Sequence, residues 1–136
     1  MILSIIDGIS LRLDEYFGDD YKIYLEAVEQ GVRTPCFFVK HEETMRKKLI
    51  GERYLARYKF DINYFPKNDK HEMLSHAELL EDCLGLIELP DGDLVRGRGM
   101  RFSIKDGILH FYVEYVMILM AVGVKDFMGS MDYRIF

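Results

Sequence analysis

Tryptophan is absent from the chain, and cysteine (two), proline (three) and histidine (four) are scarce. Two cysteines, Cys36 and Cys83, are too few and too far apart for a disulfide framework or a zinc site. Cys36 lies in Pro35-Cys36-Phe37-Phe38-Val39, and Cys83 lies among Leu80, Leu84 and Leu86. Both therefore read as small buried hydrophobes, the usual fate of a free thiol, and a reducing compartment fits them. Basic residues are in the minority, 18 against 23 acidic, for a formal charge of −5 and a pI near 5.4. That balance counts against a protein whose main task is gripping nucleic acid, because such proteins gain affinity by neutralising phosphates with a basic stripe. The N-terminus is apolar but has no basic segment or small-residue cleavage site, so no signal peptide is expected. The apolar run near Tyr115 to Val124 is too short to span a bilayer, so a soluble protein is expected. No repeat or low-complexity tract occurs.

What is present is a core. Hydrophobic residues make up 49% of the 136, with nine Tyr and nine Phe supplying most of the bulk. A chain of this length hides about two-thirds of its unfolded surface on folding, so one domain needs no staple. Ile2, Ile5, Ile6, Ile9, Leu13 and Phe17 recur at helical spacing, and Gly18 stops the helix. Tyr21 to Val28 alternates as a strand, with Ile23, Leu25 and Ala27 on one face. Cys36 to His41 reads as a second strand, and Glu42 to Glu52 shows no period and reads as a loop. The clearest strand follows, with Tyr54, Ala56, Tyr58, Phe60, Ile62 and Tyr64 on one face and Arg57, Lys59, Asp61 and Asn63 on the other.

Asp69 and Glu72 have capping-box spacing for a second helix, whose stripe is Met73, Ala77, Leu80 and Leu84. Strands Leu94 to Lys105 and Ile108 to Met120 are joined by Asp106-Gly107, a strong hairpin signal. The order is α-β-β-β-α-β-β. It predicts an α+β domain over residues 1–122, a mostly antiparallel mixed sheet with two helices on one face, followed by a C-terminal tail or arm at 123–136.

A search for chemistry finds no convergent set. The histidines His41, His71, His76 and His110 are scattered, and the five-residue spacing of His71 and His76 puts them on different helix faces. There is no nucleophile elbow and no zinc-protease helix. Arg96-Gly97-Arg98-Gly99-Met100-Arg101 superficially resembles a phosphate loop, but no helix N-terminus follows to supply donors. A strand with glycines at a bulge or a close approach explains it better. No catalytic residue, metal or cofactor is expected. Two sets of residues are candidates for contact with partners. Arg46, Lys47, Lys48, Leu49 and Gly51 belong to the aperiodic stretch, which is long enough to have a task. Arg96, Arg98 and Arg101, with Val116, Ile118 and Met120 from the doubly apolar end of the last strand, are candidates to face a neighbouring subunit or a pore.

Three stretches carry a resemblance in their order and spacing. They are Gly18-Asp19-Asp20-Tyr21-Lys22-Ile23-Tyr24 with Pro35-Cys36-Phe37-Phe38; Gly51-Glu52-Arg53-Tyr54 through Asp61-Ile62-Asn63-Tyr64-Phe65-Pro66; and Asp93-Leu94-Val95-Arg96-Gly97 through Asp106-Gly107-Ile108-Leu109-His110-Phe111. Together, over roughly residues 1–120, the chain resembles the small tail terminator family of phages and prophages of Gram-positive bacteria. The resemblance implies a virion structural protein that is not an enzyme. It implies a hexameric ring that ends tail-tube polymerisation and offers the head–tail joining surface. The implied partners are further copies of the chain, the tail tube protein and head–tail connector proteins, with DNA only passing through the lumen and no membrane. The implied place is the tail or neck of the virion, reached from the host cytoplasm during assembly. A head-side connector or tail-completion protein of the neck remains open beside it. So do, more remotely, a partner-binding adaptor and a phosphate-ligand enzyme.

Overall fold

Two long strands with opposite characters on their two faces organise the molecule. In the computed structural model, which describes residues 1–25, 33–67, 70–122 and 131–135, the elements in chain order are α1 (Ile2–Phe17), β1 (Lys22–Tyr24), β2 (Cys36–Lys48) and β3 (Arg53–Phe65), then α2 (Lys70–Leu84), β4 (Leu86–Glu88), β5 (Leu94–Lys105), β6 (Ile108–Val122) and β7 (Met131–Ile135). They form one sheet in the order β1-β2-β3-β6-β5-β4, with β7 also on β6. Only β1 and β2 run parallel. The α+β class, the largely antiparallel sheet and the two helices agree with the sequence reading, and the structure adds the short β4 and the closing β7.

β3 and β6 pair from Arg53↔Met120 to Tyr64↔Leu109, so their alternating residues fall into register across the sheet. Tyr58, Phe60, Ile62 and Tyr64 of β3 face the helices beside Phe111, Val113, Tyr115 and Met117 of β6, and all are buried. Ile5, Ile9 and Leu13 of α1 and Met73, Ala77, Leu80 and Leu84 of α2 close over them as one core. Burying each such side chain contributes about 1.5–3 kcal/mol, enough to order two helices that alone would fray. The β5–β6 turn has positive φ at both Asp106 (53°) and Gly107 (75°), the signature of the two-residue hairpin the sequence announces.

One local expectation changes, and two fall partly outside the described residues. Glu42 to Glu52 is not a loop as a whole: β2 continues through Lys48, paired with β3 from Glu43↔Lys59 to Lys48↔Tyr54, across a bulge between His41 and Glu43. Of residues 42–48 all but Thr44 are exposed, so no buried face imposes a period and the strand cannot be read from hydrophobicity. Only the turn at 49–52 remains. Second, of the strand expected at Tyr21 to Val28 the described residues contain β1 over Lys22–Tyr24. Leu25 is exposed, because β1 meets a neighbour at only three positions, and 26–32 lie outside the described residues. Third, Asp69 of the expected capping box lies outside them too, while Glu72 accepts from the Tyr64 hydroxyl at 2.6 Å. Residues 123–130 and 136 of the expected arm also lie outside the described set.

Candidate functional site

The helices cover one face of the sheet; the other face is where the expected contact residues come together. Cross-strand pairing puts Arg57 opposite Val116, Leu55 opposite Ile118 and Arg53 opposite Met120, all directed away from the helices. On β5, Arg98 lies opposite Glu114 and Arg101 opposite Tyr112, and Arg96 follows Arg98 by alternation on the same face. All six residues proposed from sequence for β5 and β6 therefore share this open face. The three arginines are exposed, and Val116, Ile118 and Met120 are half-buried.

This face has two halves. Toward the β5–β6 turn it is polar and internally paired. Arg57 meets Glu114 at 3.7 Å, Lys59 meets Glu43 at 3.6 Å, and the His110 ring lies 3.2 Å from Asp61. The Arg101 guanidinium stacks 4.2 Å over the Tyr112 ring. These pairs are partly solvated and add little stability, but they fix the side chains.

The other half is aliphatic. β5 leaves β6 after Gly97↔Tyr115, and β7 takes over the edge of β6 from Ile118. Where the partner changes, a cleft of about 600 Å³ opens, lined by Leu55, Leu86, Leu94, Val116 and Ile118 with Arg96 and Arg98. Leu55, Leu86 and Leu94 escaped the sequence reading. Leu55 interrupts the polar row Arg53, Arg57, Lys59, and that break was the available signal.

The glycines of Arg96-Gly97-Arg98-Gly99 explain how β5 is placed. A Cβ at Gly97 would run into the Leu84 carbonyl at the end of α2 and the Val113 side chain, so only glycine lets the strand pass. Its own N–H donates to the Gly85 carbonyl at 3.0 Å. Gly99 has φ 59° at the register shift between Arg98 and Arg101, a bulge needing left-handed backbone. The motif is a strand with a bulge and a close approach, and the helix end it meets is the C-terminus of α2.

The other candidate set does not reach the open-face cleft. Arg46, Lys47 and Lys48 are exposed on β2, with Arg46 stacked 4.8 Å from the Tyr54 ring, and Leu49 and Gly51 form the turn to β3. Ile50 at that tip is 85% exposed.

One polar cluster in the core went unseen in the sequence. His76 stacks on Tyr64 at 4.5 Å, and its Nδ1 lies 2.7 Å from the Glu72 carbonyl. A carbonyl only accepts, so Nδ1 donates to it, and Nε2 shares a hydrogen bond with the Tyr21 hydroxyl at 3.0 Å. Burial first, and then the hydrogen bond to Glu72, raises the Tyr64 phenol far above its ordinary value. Burial likewise raises Tyr21, with Glu72 adding to it. Every donor here has its acceptor, so the cluster ties α2 and the segment after α1 to the sheet. Residues 21, 64 and 76 reveal it only in three dimensions. His71 is exposed and points elsewhere, as its spacing requires. Cys36 and Cys83 are free and fully buried, and burial pushes the Cys83 thiol up to about 12. Among the described residues no three potential metal ligands come together, and no helix is long and apolar enough to cross a membrane.

A search of curated proteins finds no match. The profile of a family described as phage tail terminator protein matches residues 4–126, from the first turn of α1 past the end of β6. That match takes in both helices and strands β1 to β6, including the residues of the open-face cleft; the chain belongs to the phage tail terminator family, a structural family of the virion tail.

Proposed function

We propose that the protein is the subunit of a hexameric ring that ends tail-tube polymerisation and supplies the surface on which the tail joins the filled head. The family match over residues 4–126 carries this reading. The open sheet face supports it. An aliphatic cleft rimmed by Arg96 and Arg98 suits a surface that another protein covers, and monomers seldom leave such a patch bare. In this reading Arg96, Arg98, Arg101, Val116, Ile118 and Met120 face a neighbouring subunit or the ring lumen. The turn with Arg46, Lys47, Lys48, Leu49 and Gly51 reaches a second neighbour, either the tail tube protein or a head–tail connector protein. DNA passes through the lumen without being held, in keeping with an overall charge of −5. Assembly takes place in the host cytoplasm, and the mature location is the tail or neck of the particle.

The role is capping by surface complementarity, with no catalytic step. Deleting the protein and imaging the particles tests it. Tails of uncontrolled length that do not join heads, with head filling unaffected, are the expected result. Tails of normal length that fail to join would reassign the protein to the head side of the neck, and infectious particles of normal form would end the structural reading.

A further inference from the structure

The two outer surfaces of this domain carry opposite charge. On the helix layer Asp7, Asp14, Glu78, Glu81 and Asp82 are exposed, interleaved with exposed Leu3, Leu11, Leu74 and Leu79. Arg12, the one arginine of either helix, turns inward: its Nε donates to the Cys83 carbonyl at 3.1 Å, and its guanidinium meets Glu15. The remaining helix cation, Lys70, opens α2 at the end away from Glu78, Glu81 and Asp82. On the open sheet face the sign reverses. Arg96 and Arg98 line the aliphatic cleft, Arg53 lies on the same face two residues before Leu55, and among the described residues none of the three has an ion-pair partner. A chain that is acidic as a whole thus sets arginines with no ion-pair partner among the described residues beside an apolar cleft.

We propose that the helix layer of one copy docks on the open sheet face of the next, with exposed leucines entering the cleft and Glu78, Glu81 and Asp82 opposing Arg53, Arg96 and Arg98. The inference rests on the ring reading above and names the two surfaces that build the ring. Charge decides between the possible pairings. A two-fold contact through the sheet face sets arginine against arginine, and one through the helices sets carboxylate against carboxylate. Like-charge juxtaposition at an interface costs several kcal/mol. Only the pairing of unlike surfaces opposes unlike charges, and a contact between two different surfaces is head-to-tail, the kind that closes into rings.

Two full-length variants test this. One carries Arg96→Glu and Arg98→Glu on the sheet face; the other carries Glu78→Lys and Glu81→Lys on α2. All four positions are exposed, and near-ultraviolet circular dichroism verifies that each variant is folded. Sedimentation of each variant alone should show self-association weakened at least about tenfold relative to the parent. An equimolar mixture should restore assembly, because each variant then offers the surface complementary to the other, and the restored particles should alternate the two. The milder Arg96→Gln with Arg98→Gln should give an intermediate loss that added salt does not deepen. A parent that forms rings while both charge-reversed variants form them equally well would overturn this docking and leave the ring intact. A parent that stays monomeric at every concentration would overturn both. Two weakened variants whose mixture fails to assemble would also overturn the docking, since these two surfaces, once given opposite charges again, must recover their contact. A loss confined to one of the two variants would overturn it in favour of a two-fold contact through that variant's altered surface. Loss of DNA retention in the sheet-face variant with assembly unchanged would assign the arginines to nucleic acid instead.

Discussion

The two faces of β3 and β6 share one backbone and differ in what selects their side chains. On the helix side, Tyr58, Phe60, Phe111 and Tyr115 fill a closed volume, and each contact is set by the fold itself. On the open side, Leu55, Val116 and Ile118 lie half-buried beside arginines that have no ion-pair partner among the described residues, an arrangement the isolated domain does not need. Stability and assembly should therefore separate by face. A substitution on the helix side should unfold the monomer, and one on the open side should spare the monomer and disturb its association.

The largest effect on stability should come from Phe60→Ala or Phe111→Ala, each costing about 3–5 kcal/mol through the cavity left behind. Urea unfolding measures it, and a loss below about 1 kcal/mol would break the division between faces. Next comes Gly97→Ala, which forces a methyl into the Leu84 carbonyl and should cost about 1–3 kcal/mol. A rise in stability there would show that β5 can move off α2. Tyr64→Phe removes the donor to Glu72, leaves the stacked His76 in place, and should cost about 1–2 kcal/mol. Tail assembly by this variant should remain normal wherever it is folded.

A smaller, pH-dependent effect sharpens the same comparison. Burial raises the Cys83 thiol from 9.0 to about 12, and the tyrosines Tyr21, Tyr64 and Tyr115 shift upward as well. The folded state holds these protons after the unfolded chain has lost them. Their contribution is therefore complete below about pH 9 and declines as pH rises toward about 12. Unfolding at about pH 8 and about pH 10.5 should show lower stability at the higher value, and Cys83→Ala should flatten that slope in proportion to the thiol's part. Cys36→Ala and Cys83→Ala should lower stability through lost packing and leave assembly unaffected. The smallest change in stability, within about 0.5 kcal/mol, should come from Leu94→Ser on the open face. Co-assembly with tail tubes should nevertheless fall, and an unchanged yield of capped tails would remove Leu94 from the contact.

The difference between the faces also explains what the sequence could disclose. The row Tyr54, Ala56, Tyr58, Phe60, Ile62, Tyr64 is legible because one face is buried along its whole length, and burial imposes a period of two. The distal half of β2 follows the same backbone path, yet its charged residues meet solvent on both sides, so no period marks it as a strand. Arg96 and Arg98 were legible together, since residues two apart on one strand share a face, whereas Arg101 joins them only through the bulge at Gly99, which shifts the register by one residue. Leu86 and Leu94 were not, because nothing local tells that β5 will part from β6 at Tyr115 and open a cleft beside them. The Tyr21–Tyr64–His76 cluster was hidden for the same reason: its members are brought together only by packing.

Beyond Phe38, β2 runs along the margin of the sheet with no described strand on its outer side. A bare margin of this kind invites another chain to extend the sheet by main-chain hydrogen bonding, which is hard to reverse and has no natural stopping point. Here the invitation is refused by Lys40, Glu42, Arg46 and Lys48, whose charges stay solvated only if no strand comes alongside. Anything that touches this arm must do so through side chains, so the contact can form and release with ionic strength. A subunit proposed to bring a polymer to its end is thereby kept from starting one of its own.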